Sequence, residues 1–375
     1  MKEAPLKGIK VVELARILAG PWAGQVLADL GAEVVKVESP EGDDTRQWGP
    51  PFIEREDGSR DAAYFHAANR GKRAVQADFR TEEGRKAVLE LVRDADVLIE
   101  NFKVGGLAKY GLDYDSLREV NPRLVYCSIT GFGQDGPYAG RAGYDFIIQG
   151  MSGIMDLTGD PDGAPQKIGV AYADILTGLY AVIGIQAALH QREQTGHGQQ
   201  VDMALLDVMV GTLANQAMNY LASGDSPTRM GNAHPNIAPY ATFEVSDGWV
   251  IIAVGNDRQF ARLADLLGLE AQESWATNAG RVADRDALSA ALTGQTREWT
   301  QASLLEALEG QGIPAGPINT VEQALSDPQI AARGLVAKLT EGIAGLRLPI
   351  RFSDAELAVG KASPALPSGE LPNET

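Results

Sequence analysis

Ile9-Lys10-Val11-Val12-Glu13-Leu14, then Gln25-Val26-Leu27-Ala28-Asp29-Leu30, then Val34-Val35-Lys36-Val37-Glu38: the reading of these segments decides the fold. The outer two are short and rich in β-branched residues, and each reads as a strand. Between them Pro21 is placed to open a helix, because its fixed φ suits a first helical turn, and Gly31 is placed to close it. Strand, helix and strand within about thirty residues form a βαβ unit, the opening of a doubly wound fold. The connection Ala15-Arg16-Ile17-Leu18-Ala19-Gly20-Pro21 is not GxGxxG. Glu38 ends the second strand where nicotinamide enzymes keep a ribose-binding acid, yet without the glycines a nicotinamide oxidoreductase is a weak reading.

The alternation continues outward. Ala74 to Ala77, Val97 to Asn101 and Leu124 to Thr130 read as strands, with an amphipathic helix over Thr81 to Arg93 and a short one over Tyr114 to Val120. Such a pattern predicts an α/β domain with a doubly wound, mostly parallel, Rossmann-like sheet. Ligands collect at the carboxyl ends of such strands, here near Arg16, Ser39, Asn101 and Thr130 to Gly131. Ser39 to Arg60 reads as a polar loop. Asn69-Arg70-Gly71-Lys72-Arg73 places three cations in four residues. They read as a solvated loop or as the basic patch an anionic ligand needs.

That patch matters because the 375-residue chain carries a formal net charge of −17. Such a field argues against nucleic acid as a partner. The length exceeds what one core supports, so two domains are expected. Hydrophobic residues at 44% and charged residues at 22% are those of a soluble globular protein. The Met1-Lys2-Glu3-Ala4-Pro5 start lacks the apolar core of a signal peptide, and no apolar run is expected to reach the ~20 residues that span a bilayer, so no membrane partner is expected. One cysteine, Cys127, fits a reducing cytoplasm and reads as buried packing. Four scattered histidines give no metal site.

Farther on, Gly169-Val170-Ala171-Tyr172-Ala173-Asp174-Ile175-Leu176-Thr177-Gly178 sets one carboxylate in an apolar segment that continues to Leu189. A helix without a polar face is expected to be buried. Asp174 therefore sits at or near its first turn, either as an N-cap or as a nucleophile held by the positive helix end. After the Thr195-Gly196-His197-Gly198 turn, a second long helix is expected from about Met203 to Ala222. The expected organisation is a large domain over 1–222, a linker over 223–239, a small α+β domain over 240–328, and a return segment over 329–375 packing on the large domain. In the small domain Tyr240 to Val245 and Trp249 to Val254 read as a hairpin around Asp247-Gly248. Helices follow near Phe260 to Leu267, Trp299 to Leu308 and Val321 to Leu325. The tail from Ala362 reads as loose.

Taken together, Ala19-Gly20-Pro21, Leu30 to Glu38, Glu100-Asn101-Phe102, Asn121-Pro122-Arg123, Ser128 to Gly133, Arg141-Ala142-Gly143-Tyr144-Asp145, Asp174 with Thr177-Gly178, and Gly198 to Asp202 resemble the family III CoA-transferases. The likeness runs from about Leu6 to about Phe352. Tyr126 to Gly131 and Gly255 to Phe260 look most like the succinyl-CoA:glutarate branch. The resemblance implies an interlocked homodimer and no permanently bound cofactor, with coenzyme A entering as acyl-CoA substrate and a small carboxylic acid, expected to be a dicarboxylate, as its acceptor. It places the catalytic aspartate on Asp174, whose carboxylate attacks the thioester to give an anhydride and then an aspartyl-CoA thioester.

By the same resemblance the CoA site falls on Leu18, Ala19, Ala77, Asp78, Phe79, Arg80, Asn101 and Tyr144, with Lys109 near a phosphate and Arg141 near the pantetheine. Relatives often carry Arg where this chain has Ser39, and Arg46 or Arg73 is the expected replacement. Arg16 or Arg141 is a candidate clamp for a distal carboxylate. His234, in Gly231-Asn232-Ala233-His234-Pro235-Asn236, is a candidate for a loop covering the intermediate. A 2-methylacyl-CoA racemase of the same superfamily is the nearest rival, and a non-catalytic CoA- or nucleotide-binding protein is another. Racemases need a histidine base where this chain has Tyr144, and a phenol of ordinary pKa serves that purpose poorly.

Overall fold

The computed structural model describes residues 2–270 and 272–367. The expected tail beyond Pro367 lies outside the described residues. The chain divides into two compact units, one comprising Met1–Ile154, Lys167–Gly224 and Pro328–Thr375, the other Met155–Gln166 and Asp225–Asp327.

In the first unit six described strands form one parallel sheet: β1 (Lys10–Glu13), β2 (Glu33–Glu38), the hairpin β3 (Phe52–Glu54) and β4 (Arg60–Ala62) standing apart from it, then β5 (Arg73–Gln76), β6 (Val97–Glu100), β7 (Val125–Thr130) and β8 (Gln200–Ala204). Their spatial order is β5-β2-β1-β6-β7-β8, with every pairing parallel. The chain winds outward from β1 to β5 and then returns to place β6 on the other side of β1. The crevice at that reversal, above the ends of β1 and β6, is where such sheets take ligands. Helix α1 (Ala19–Asp29) joins β1 to β2. Gly20 is required there, since a Cβ on it would stand 2.3 Å from the Ala15 Cβ. Helices α2 (Ala63–Asn69), α3 (Glu82–Arg93), α4 (Tyr114–Val120), α5 (Asp145–Met151), α6 (Ile154–Leu157) and α7 (Tyr172–Thr195) follow in chain order.

Several expectations change at this level. The stretch from Ser39 to Arg60 holds a single-turn helix (Asp44–Gln47) and the strands β3 and β4, rather than an open loop. The helix expected from Met203 is a strand first, because Val201 and Met203 pair along β7, and then two short helices, α8 (Leu205–Gly211) and α9 (Ala214–Ser223). Helix α7 is not buried all round. Ala173, Thr177, Ala181, Ile185 and Ala188, at helical spacing, form its buried face, while Leu179, Tyr180 and Ile183 are exposed. The same helix corrects the expectation about bilayer-length segments: by length and composition it is apolar enough to span one. Its buried face belongs to the core shared with α1 and β7. The crossing is close, since a Cβ on Gly178 would stand 2.7 Å from the Ala19 carbonyl oxygen.

The cluster at Asn69 to Arg73 is not a surface patch. Arg70 is buried against Asp29 and Lys72 is buried against Glu13 at 2.8 Å. The tail is held at Ala362 to Pro364. Arg55 donates to the Ser363 carbonyl at 2.9 Å, Arg46 donates to the Pro364 carbonyl at 3.2 Å, and the Ala362 N–H donates to Thr340 Oγ1. Those two guanidiniums need carbonyl acceptors because both are buried.

In the second unit β9 (Tyr240–Val245) and β10 (Gly248–Ala253) form the hairpin, and Ala315–Pro317 adds a third antiparallel strand on β10. Phe243, Val250, Leu263, Leu288, Leu304 and Leu308 are among the residues of its core. Two helices not foreseen, Asn278–Ala283 and Arg285–Thr296, belong to it.

Candidate active site

The crevice at the sheet reversal opens into a cavity of about 270 Å³. Arg16, Leu18, Ala19, Asn101, Arg141, Tyr144 and Asp174 all line it. The topology explains why residues so far apart in sequence meet there. Arg16 to Ala19 follow β1, Asn101 follows β6, Gly131 follows β7, and Asp174 stands in the first turn of α7. Asn101 bridges the reversal: its Oδ1 accepts the Arg16 N–H at 2.9 Å and its Nδ2 donates to the Arg16 carbonyl at 2.7 Å. Behind it, buried Glu100 accepts the Phe102 N–H at 2.7 Å, and burial pushes its carboxyl up to about 7.

Asp174 is not the N-cap of α7. Ala171 holds that place and makes no side-chain bond. The acceptor comes from another helix, in that Asp145 Oδ1 takes the N–H of Ala173 at 2.8 Å and of Asp174 at 3.4 Å. Gln149, one turn along α5, fixes Asp145 by donating to its Oδ2 at 2.8 Å, and its own oxygen accepts the Ile168 N–H at 2.9 Å. The Asp174 carboxyl is thereby free of capping duty. Burial, and secondarily the charge of Asp145, pushes it up to about 7. A carboxylate so raised is more basic and more nucleophilic than one in water, while still ionised in good part at neutral pH. Gly131 and Gly143 make the approach possible, since a Cβ on either would stand 2.5 Å from the other's Cα.

Sequence reasoning missed Asp145 and Gln149, whose four-residue spacing within one helix was the available signal. Tyr64 was also missed. Its phenol is raised by burial and by the charges of Asp174, Asp145 and Asp43, and its ring meets Trp48 edge to face with centroids 5.3 Å apart.

The cations that offset the overall charge here are Arg16, Lys103 and Arg141, all lining the cavity. Arg16 pairs with Asp44 at 3.0 Å, and Arg141 lies 4.6 Å over the Tyr138 ring. The other candidates lie outside the cavity. Ala77 is buried after β5, Asp78 and Arg80 form their own pair at 2.8 Å, and Lys109 Nζ stands 4.8 Å over the Tyr110 ring. Phe79 reaches the cavity wall indirectly, packing on Phe102 with centroids 5.6 Å apart. The two expected substitutes for a basic Ser39 also lie outside the cavity. Arg46 is buried between Glu38 and Asp61, and Arg73 begins β5, at the opposite end of the parallel strands from Asp174. His234 belongs to the second unit, where its Nδ1 accepts the Asn236 N–H at 3.1 Å.

The reversal crevice of the doubly wound sheet thus holds a buried carboxylate, Asp174, in one cavity with Arg16, Lys103 and Arg141, an arrangement suited to an anionic ligand. The chain matches CoA-transferase family III over residues 6–370 and belongs to that family. Succinate–glutarate CoA-transferase of Agrobacterium fabrum is 57% identical over 97% of this chain and 94% of its own length. The human succinyl-CoA:glutarate CoA-transferase is 39% identical over 96% of this chain and 83% of its own. Among solved structures, a CaiB/BaiF family protein from Brucella suis superposes with a TM-score of 0.90 at 66% identity, covering 98% of this chain and 97% of that one.

Proposed function

We propose that this enzyme moves CoA from succinyl-CoA to a free dicarboxylate, glutarate first among them, with Asp174 as the covalent relay. The observation that carries this is the Asp174 carboxylate: in the cavity, relieved of capping by Asp145, and raised to about 7. Its oxygen attacks the thioester carbonyl, the C–S bond breaks, and CoA leaves as the thiolate with the succinyl group held as a mixed anhydride on Asp174. The thiolate then attacks the Asp174 carbonyl of that anhydride, releasing succinate and leaving an aspartyl-CoA thioester. The acceptor carboxylate attacks this thioester, again expelling thiolate. Return of the thiolate to the acceptor carbonyl forms the new CoA ester and frees Asp174. No proton is gained or lost over the cycle, so the site needs a nucleophile and dry surroundings rather than an acid–base pair.

Asn101, Leu18 and Ala19 hold the carrier at the reversal, Arg141 and Tyr144 flank the acyl end, and Arg16 engages the distal carboxylate. Ala77 to Arg80 and Lys109 serve the outer part of the nucleotide, and His234 serves a covering loop. A homodimer covers Leu179, Tyr180 and Ile183 of α7 together with Met218, Tyr220 and Leu221 of α9, which are exposed in the single chain. The single thiol, Cys127, supports a reducing cytoplasm as its compartment.

Incubation with succinyl-CoA and a panel of mono- and dicarboxylic acids, with mass spectrometry of the CoA esters, tests this reading. Glutaryl-CoA is expected among the products. Transfer to none of the acids, together with α-proton exchange on a 2-methylacyl-CoA, would replace it with the racemase reading.

A further inference from the structure

The connection between β1 and α1 is held in a way that neither element requires. Ile17 has φ +73°, in the left-handed region that a β-branched residue enters only under constraint. Four successive backbone groups around it are each taken by a side chain. Lys36 Nζ donates to the Ala15 carbonyl at 2.9 Å, Asn101 clasps the Arg16 N–H and carbonyl, and Asp43 Oδ2 accepts the Ile17 N–H at 3.2 Å. Lys36 and Asp43 form an ion pair at 2.9 Å, with both side chains fully buried, and Glu13 lies 3.1 Å from the same ammonium. Burial works against the charge on Lys36, and the carboxylates of Glu13, Asp43 and Glu38 overcome that penalty and hold its pKa above the ordinary value. Asp43 is itself fixed: its N–H donates to Glu38 Oε2 at 2.8 Å, and its Oδ1 accepts the Thr45 hydroxyl at 2.7 Å.

A buried ion pair is a poor source of stability compared with apolar packing. Its position suggests a different task. Arg16, Ile17, Leu18 and Ala19 form one wall of the Asp174 cavity, and Leu18 is the N-cap residue of α1. Released to ordinary backbone angles, Ile17 would swing the residues on either side of it out of that wall.

We propose that Lys36 and Asp43 are positioning residues for acyl-CoA, holding Ile17 left-handed so that Arg16 to Ala19 stand ready for the carrier. The inference rests on reading the cavity as the acyl-CoA site. It touches no reacting atom and predicts an effect on carrier binding rather than on the chemical steps.

A double-mutant cycle of D43A and I17G tests it, with KM for succinyl-CoA, kcat and calorimetric CoA binding as readouts. D43A should raise KM about tenfold, equal to about 1.4 kcal/mol, with kcat held within about threefold. In the I17G background D43A should change KM by less than about twofold, because glycine takes the left-handed angle without a restraint. A structural role alone would lower the denaturation midpoint and leave KM unmoved, or give additive effects of the two changes, and either result overturns the proposal. Should D43A fail to fold, D43N takes its place: it keeps an oxygen for the Ile17 N–H, loses the charge paired with Lys36, and should show a smaller rise with the same coupling. Absence of CoA binding by the unaltered enzyme would instead overturn the assignment of the cavity, while equal CoA affinity for the unaltered enzyme and D43A would overturn only the positioning role.

Discussion

Replacing Asp174 by asparagine should abolish transfer and make the protein more stable, with a pH dependence that identifies the cause. The folded-state pKa of about 7 lies above the ordinary 3.8. Between those values the native state therefore holds a proton that the unfolded chain has lost, and stability falls as pH rises through the window. The difference is about 3, and at about 1.4 kcal/mol for each the penalty above pH ~7 is about 4 kcal/mol. Partial exposure of the residue discounts this to about 2–4 kcal/mol. Asparagine has no charge to desolvate, so the D174N gain should be full at about pH 8 and smaller by about 2 kcal/mol at about pH 5. Urea unfolding of both proteins at the two pH values measures it directly. A variant no more stable than the parent at the higher pH, or a gain equal at both, would refute the claim that Asp174 is held in a desolvated, destabilised state.

Two other substitutions probe the same site. D145N keeps an oxygen for the Ala173 N–H and removes the charge, so the Asp174 pKa should fall below about 7. Because burial is the larger cause, the acid limb of the kcat/KM profile should move to lower pH by less than about 1.5; an unmoved limb would show that the charge of Asp145 does not reach the nucleophile. G131A should cost about 100-fold or more in kcat/KM with the fold kept, since its Cβ would force the segment carrying Tyr144 and Asp145 away from β7; circular dichroism and steady-state kinetics check both halves.

The parts of this fold legible in the sequence were those written in local periodicity. Val11 and Val12 against Val34 to Val37 specify adjacent strands, and the reversal after β5 then brings Arg16 to Asn101. Asp174 stood out because one carboxylate in an apolar run is costly and needs a reason, while its catalytic assignment came from the family resemblance and not from the stretch itself. What stayed hidden depends on partners remote in sequence. Arg70 and Lys72 read as a solvated loop or a basic patch because nothing local reveals Asp29, 41 residues away, or Glu13, 59 away. The cap of α7 likewise arrives from Asp145, 28 residues upstream, so the local reading offered Asp174 itself as the cap. Composition made the tail at Ala362 to Pro364 look free, whereas Arg46 and Arg55 hold its carbonyls. The strain at Ile17 was invisible for a related reason: β-branched residues disfavour positive φ, so the sequence argues against the conformation that Asp43 and Asn101 impose.

The central claim is that Asp174 carries the transferred group. Quenching a reaction with succinyl-CoA and glutarate into hydroxylamine, followed by peptide mass spectrometry, tests it most directly, since hydroxylamine converts an aspartyl anhydride or thioester into a stable hydroxamate. The account predicts a hydroxamate on the peptide containing Asp174, dependent on succinyl-CoA and absent in D174N. Transfer proceeding at full rate with no modification of Asp174, or with the adduct on another carboxylate, would contradict it.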